Sequence, residues 1–202
     1  MDIEMTTKER ILNSAIELFS QNGFSETPMR KLSQKSGIKV SSLYNHYQSK
    51  EEILDSILQL YKEEITKQKL TDKTLDQIVM SYTPYQILYK SFQKIKEATS
   101  SEKINKIAKI FLMELYRNKK VRDFYVVFSL NENIESYEKL FKKMVERKKI
   151  KKNDISVLAS TYLAIINFFY HEYFIYKTDD RDTIELEQKI HKQIKLFVDF
   201  IQ

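Results

Sequence analysis

Between Thr27 and Lys50 the chain carries five cations, Arg30, Lys31, Lys35, Lys39 and Lys50, and no aspartate or glutamate. Tyr44, Asn45, His46 and Tyr47 stand in succession within the same stretch. Phenol, amide and imidazole groups both donate and accept hydrogen bonds, and set among cations they suit phosphate oxygens and base edges. The charge is local: residues 1–70 as a whole hold 10 basic and 10 acidic side chains. The overall charge of +6 and isoelectric point of about 9.1 are a weaker signal than this focus.

Such side chains need rigid elements to carry them. Only two glycines and two prolines interrupt 202 residues, 31% of them charged and 42% hydrophobic, which describes an all-α chain of long periodic segments. Capping boxes, in which a Ser, Thr or Asp and a Glu or Gln three residues later satisfy each other's backbone N–H, mark helix starts. They are read at Thr6 with Glu9, Ser49 with Glu52, Thr74 with Gln77, Thr83 with Gln86 and Asp182 with Glu185. Both prolines follow threonine, which places Thr27 and Thr83 at caps and Pro28 and Pro84 at first helical positions.

The spacing predicts about nine helices. They run over Thr7–Asn22, Pro28–Ser36 and Val40–Tyr47, then from a Ser49 cap with Leu54, Leu58, Tyr61 and Ile65 on one stripe. Thr74–Tyr82, Pro84–Ala98, Ser101–Asn118, a long helix over Lys120–Lys149, Asp154–Tyr176 and Thr183–Ile201 complete the series. Ile11, Ala15, Leu18 and Phe19 face inward on the first helix, and Gly23 ends it. Two short helices joined through Gly37, a residue able to take positive φ, describe a helix-turn-helix whose second helix enters the major groove of DNA. Leu32, Ile38, Val40, Leu43 and one edge of Tyr47 anchor it, while Tyr44, Asn45, His46 and Lys50 face outward.

The run AIELFSQNGFSETPMRKLSQKSG followed by IKVSSLYNHYQSKEEIL resembles the tetracycline-repressor (TetR) family of bacterial transcriptional regulators, from about Ile11 to Leu58. An alanine-bearing first helix ending in F-x-x-x-G-F, then T-x-x-R-x-L, then L-Y-x-H-Y-x-S-K-E at fixed spacing carries the resemblance. It implies that Thr27, Tyr47 and Lys50 hold phosphates and that Tyr44 and His46 sit at the groove. It also implies that Arg30 and the start of the third helix, Lys39, Val40, Ser41 and Ser42 with Asn45, read bases. Arginine suits guanine O6/N7 and asparagine adenine N6/N7. The chain departs from the family's pattern at Lys39, where a small capping residue is usual, and at Ser41, often glycine.

The organisation expected is a DNA-binding domain over 1–48 and a ligand-binding and dimerisation domain over 49–202. The resemblance implies a small hydrophobic or aromatic effector, and Tyr82, Tyr85, Tyr89, Phe92, Phe111, Phe128, Asn167 and His171 are the candidate pocket residues, beside the plainer reading of core packing. Two stripes, Leu158, Tyr162, Ile165 and Phe169, and Ile190, Ile194, Phe197 and Ile201, are the candidate interface of a homodimer matched to a pseudo-palindromic operator, beside burial within the chain.

The absence of cysteine excludes thiol catalysis and zinc-thiolate sites. No nucleophile-base pair, phosphate loop or metal-ligand spacing argues for an enzyme, and no cofactor or metal is expected. Asp179, Asp180 and Asp182 read as a turn before a cap, and the basic stretch Lys139–Lys152 as a solvated helix end. The polar, acidic start MDIEMTTKER and the polar interruptions of Ile155–Tyr176 predict a cytoplasmic protein with no membrane span. A ligand-independent DNA-binding regulator and a helical module for membrane surfaces or partners are the alternatives.

Overall fold

The computed structural model describes residues 5–66, 72–98 and 100–202; the leading MDIE of the N-terminal stretch lies outside the described residues. Among these residues there are eleven α-helices, one π-helical segment and no strand. In order they are α1 (Thr7–Asn22), α2 (Met29–Lys35), α3 (Val40–His46), α4 (Lys50–Thr66), α5 (Asp72–Ser81), α6 (Pro84–Ala98), α7 (Glu102–Glu114), α8 (Lys119–Phe124), the π segment Tyr125–Asn131, α9 (Glu132–Glu146), α10 (Ile155–Thr178) and α11 (Ile184–Ile201).

The capping chemistry explains most starts. Thr6 and Glu9 form the full reciprocal box, with Glu9 N–H donating to Thr6 Oγ1 at 3.2 Å and Thr6 N–H to Glu9 Oε2 at 2.8 Å. Thr83 and Gln86 do the same at 3.3 and 3.0 Å. At α4 the Glu52 N–H donates to Ser49 Oγ at 3.2 Å, but the Glu52 carboxylate accepts from Gln48 N–H, one residue upstream of the expected partner. Thr74 is no cap, because α5 begins earlier at Asp72 and holds Thr74 in its first turn. Asp182 accepts from Ile184 N–H at 2.9 Å, so α11 starts one residue later than the box at Asp182 predicts, with Thr183 as N-cap.

Two other differences concern helix ends. α7 stops at Glu114 rather than Asn118, because Asn118 is itself the cap of α8, its Oδ1 accepting from Lys120 and Val121 N–H at 3.0 and 3.4 Å. The long helix expected over Lys120–Lys149 is α8, the π segment and α9 in succession, a register change that apolar periodicity does not reveal.

By packing, the chain falls into two units whose boundaries differ from a division at residue 48. The first comprises 1–67 and 98–125, with α1, α2, α3, α4, α7 and α8. Its core joins Ile11, Ala15 and Phe19 of α1 to Leu32, Leu43, Tyr47, Leu54 and Ile57, and to Ile104, Ile107 and Phe111 of α7. α4 packs on both α1 and α7. The second comprises 68–97 and 126–202. There α10 packs on α9 and α11 around Tyr162, Phe169, Phe141, Ile194 and Phe197. Arg147 makes a two-pronged contact with Asp76 of α5 at 2.8 and 3.0 Å.

Tyr162 is fully buried; its hydroxyl donates to Leu88 O at 2.7 Å and lies 3.0 Å from Ser91 Oγ. Tyr137 crosses its ring edge-on at 4.9 Å. Burial lifts the Tyr137 phenol to about 12 and the Tyr162 phenol well above its ordinary value. Both hold their protons more tightly folded than unfolded, so stability is unaffected below the ordinary tyrosine pKa of about 10 and falls as the pH rises above it. The fall is steeper for each phenol that must give up its proton on unfolding. Urea titrations between pH 9 and 12 test this, and Tyr137→Phe is expected to flatten the alkaline fall.

Lys39 is the N-cap of α3, with extended backbone (φ −71°, ψ 149°) and no side-chain cap bond, since lysine has no acceptor. Lys39→Ser is therefore expected to stabilise the chain by ~1 kcal/mol, read as a raised urea midpoint with an unchanged slope.

Candidate nucleic-acid interface

The reading element starts from the turn after α1. Gly23 has φ 86°, a left-handed backbone that favours glycine, and its N–H donates to Phe19 O at 2.9 Å. The chain then runs through Phe24, whose ring packs edge-on against Phe19 at 5.2 Å, to Pro28, the N-cap of α2. Between α2 and α3, Gly37 takes φ 67°, and Ile38 N–H returns to Ser33 O at 3.0 Å. Ser36 Oγ donates to Leu32 O at 2.8 Å. Leu32 and Leu43, both fully buried, pin the two short helices to the core, and Ile38 packs partly buried beside them.

This anchoring leaves one face of α3 in solvent. Val40 (38%), Ser41, Tyr44 (48%) and Asn45 are exposed there, with Ser42 and His46 half-buried at its edges. Val40 thus belongs to the outward face and not to the anchor, because the only α3 side chain fully inside is Leu43. Arg30, Lys31 and Lys39 are exposed around it. Lys35 pairs with Glu17 of α1 at 2.8 Å, so the positive field of this surface rests on the remaining cations.

Two expected phosphate holders are placed otherwise. Thr27 is fully buried, and its hydroxyl donates to Gly23 O at 2.9 Å, which ties the turn rather than capping α2 or reaching solvent. Tyr47 is 1% exposed, with Lys8 Nζ 5.3 Å from its ring centroid. Burial raises its phenol pKa, with a hydrogen bond to the Ser56 hydroxyl and the Glu52 carboxylate as smaller opposing and reinforcing effects. Both side chains are spent on the fold. Lys50 Nζ donates to Phe24 O at 2.7 Å and Ser25 O at 3.3 Å and lies 4.4 Å from the Phe24 ring centroid, half-buried at the same turn.

The other candidate sets also separate. Tyr82, Tyr85 and Tyr89 lie partly buried against the second unit's core, where Tyr85 Oη is 2.6 Å from His191 Nδ1. Phe92 and Phe128 are buried and Asn167 is half-buried. Phe111 belongs to the first unit's core, 4.8 Å from Tyr61 and 5.4 Å from Phe124, and His171 is exposed, so neither joins that group. The interface stripes are corrected more fully. Leu158, Tyr162, Phe169, Ile190, Ile194, Phe197 and Ile201 are all buried within the chain, and Ile165 packs against the same core.

The outward stripe of α10 is instead Val157, Thr161, Ala164, Phe168 and Ile175, with Val157, Phe168 and Ile175 each 55% exposed. On α11 the exposed large apolar side chains are Ile184 (59%) at its start and Leu196 (72%) and Phe200 (76%) near its end. Sequence reasoning also passed over Glu114, a buried carboxylate whose Oε1 accepts from Phe24 N–H at 2.9 Å. Its signal is a single acid within the apolar run FLMEL at the end of α7.

Comparison with known proteins agrees with this geometry. The sequence profile of "Bacterial regulatory proteins, tetR family" matches residues 11–57. The HTH-type transcriptional regulator UidR of Escherichia coli (strain K12) is 40% identical over 52 residues, 26% of each chain. The HTH-type negative transcriptional regulator IcaR of Staphylococcus epidermidis is 46% identical over 46 residues, 23% of this chain and 25% of that one. The match thus spans about a quarter of the length of these curated relatives.

Over nearly the whole chain the fold is that of Salmonella enterica GusR, with a TM-score of 0.70, 17% identity and 98% of each chain covered. The transcriptional regulator FadR of Bacillus subtilis, in complex with stearoyl-CoA, has a TM-score of 0.67 and 16% identity over 96% of this chain and 99% of that one. Residues 11–57 thus carry the sequence pattern of the tetR family of bacterial regulatory proteins, within a chain whose all-helical fold is shared with these solved regulators.

Proposed function

We propose that the protein is a DNA-binding transcriptional repressor that acts as a homodimer and is released from a pseudo-palindromic operator by a small apolar or aromatic effector. The observation that carries the DNA-binding part is the outward face of α3. Tyr44, Asn45, Ser41 and Val40 stand in solvent beside Arg30 and Lys39 on a helix whose opposite face is fixed by Leu43. In this reading Arg30 and Asn45 are the groups for base readout and Tyr44, His46 and Lys39 serve the groove and backbone, while Lys50 holds the turn.

Two observations support the remainder. α10 buries one apolar face in the second unit and exposes a second stripe that carries Val157, Phe168 and Ile175 among small and polar residues, and together with Leu196 and Phe200 this exposed surface suits a second copy of the chain. Tyr82, Tyr85, Tyr89 and Asn167 put polar groups at the edge of an aromatic core, a setting for an apolar ligand with a few hydrogen-bonding groups. The effector acts by preferring the form that does not bind DNA, since equal affinity for both forms shifts nothing. None of the helices among the described residues is long and apolar enough to cross a membrane, and a cytoplasmic site of action fits this reading.

Selection of duplexes from a random pool, followed by gel shift, tests DNA binding. Tyr44→Ala is expected to lower affinity by ~10-fold or more while leaving stability within ~0.5 kcal/mol, because the side chain is half exposed. Binding insensitive to salt and to this substitution would sink the reading.

Sedimentation tests the dimer. The double substitution Leu196→Glu with Phe200→Glu is expected to give a folded monomer, whereas a dimer that survives it would show that the partner sits elsewhere.

A further inference from the structure

We infer that Glu114 is a positioning residue for DNA reading, by which the end of α7 holds the turn that launches the two reading helices. The inference rests on the DNA-binding reading and adds to it a specific residue outside the reading helices.

The Phe24 peptide is clamped from both sides. Its N–H donates to Glu114 Oε1 at 2.9 Å, a bond that joins residues 90 positions apart in sequence. Its C=O accepts from Lys50 Nζ at 2.7 Å, on the first residue of α4, and from Thr27 N–H at 3.3 Å. The neighbouring Gly23 carbonyl is held by the Thr27 hydroxyl at 2.9 Å. A Cβ at Gly23 would stand 3.4 Å from Glu114 Oε1, so the carboxylate lies directly against the turn. These groups fix where Pro28 begins α2, and together with the buried Leu32, Leu43 and Tyr47 they set where α3 presents Tyr44 and Asn45.

A core built only for stability has no need of this residue. Glu114 is 3% exposed and follows Phe111, Leu112 and Met113, and burying a carboxylate costs more than burying an apolar side chain of similar size. What the carboxylate adds is direction. A hydrogen bond to one backbone N–H fixes the turn's angle in a way that apolar contact does not, and charge shortens and strengthens that bond. The lysine on the opposite side of the same peptide gives the clamp complementary ends. With Glu114 in place the turn is ordered before DNA arrives. Without it, the turn must be ordered on binding, and that cost falls on affinity.

The experiment compares the full chain with Glu114→Ala, Glu114→Asp and Glu114→Gln, on a duplex selected by the parent chain from a random pool. Affinity is measured at a temperature where circular dichroism shows each variant folded. Glutamine keeps the acceptor oxygen at the same reach, and E114Q is expected to bind within ~3-fold of the parent. Alanine removes the acceptor and aspartate withdraws it by one methylene, and both are expected to weaken binding by ~10-fold or more. The slope of affinity against salt should not change, since the phosphate contacts are the same in number.

Amide hydrogen exchange at Phe24 supplies a second readout: protected in the parent and E114Q, fast in E114D and E114A. If E114A does not fold, E114D decides. A parent that binds a selected duplex while folded E114A and E114D bind it equally well overturns the positioning role alone. A parent that selects no duplex overturns the functional reading together with it.

Discussion

The reading surface depends on the burial of very few side chains. α3 has seven residues, and an isolated helix shorter than ~12–15 residues is marginal in water, so nothing within α3 keeps it helical. Leu43 is its only fully buried residue, and Tyr47 just beyond its end is almost as enclosed. Those two, with Leu32 from α2, dock the pair of short helices on α1 and α4. The polar face can then be chosen for contact rather than folding, because the folding energy comes from its opposite side. This is why Tyr44 can stand half exposed beside Asn45 without a packing role.

Charged groups in this unit act as struts more than as a source of stability. Lys35 to Glu17 and Lys120 to Asp55 are surface pairs at 2.8 and 2.7 Å, of a kind worth little in water. Lys50 differs, since its ammonium is set on two loop carbonyls and against an aromatic ring, where it fixes a turn that apolar residues alone leave free. The result is a division of labour within a short stretch. Of the five cations between Thr27 and Lys50, one is tied to α1 and one to the turn, and the exposed Arg30, Lys31 and Lys39 are left to shape the outward field.

Much of the first unit was legible because its signals are local. Thr6 with Glu9, Gly23, Gly37 and the alternation of Leu32 and Leu43 with polar neighbours each dictate structure within a few residues. Thr27 shows the limit of that reading. A threonine before proline looks like a helix cap, yet here its hydroxyl turns back to Gly23 O, a partner made available only by the left-handed turn upstream. Tyr47 is a similar case: a tyrosine in a polar run reads as a contact, and only the three-dimensional approach of Lys8 and Ser56 encloses it.

The second unit was less legible for a reason of symmetry. Burial within a chain and burial between two copies leave the same period of 3.6 in the sequence, so an apolar stripe alone does not say which side it faces. α10 carries two stripes, and the more regular and aromatic one, through Leu158, Tyr162 and Phe169, closes the core. The other, through Val157, Thr161, Ala164 and Phe168, mixes small and polar residues with apolar ones and stays outside. That composition is itself physical. A face that must be tolerated by water before it meets a partner cannot be as uniformly apolar as one buried during folding, so the weaker stripe is the better candidate for association. The same asymmetry separates Leu196 and Phe200, which alternate with Lys195, Asp199 and Gln202, from the enclosed Ile194, Phe197 and Ile201.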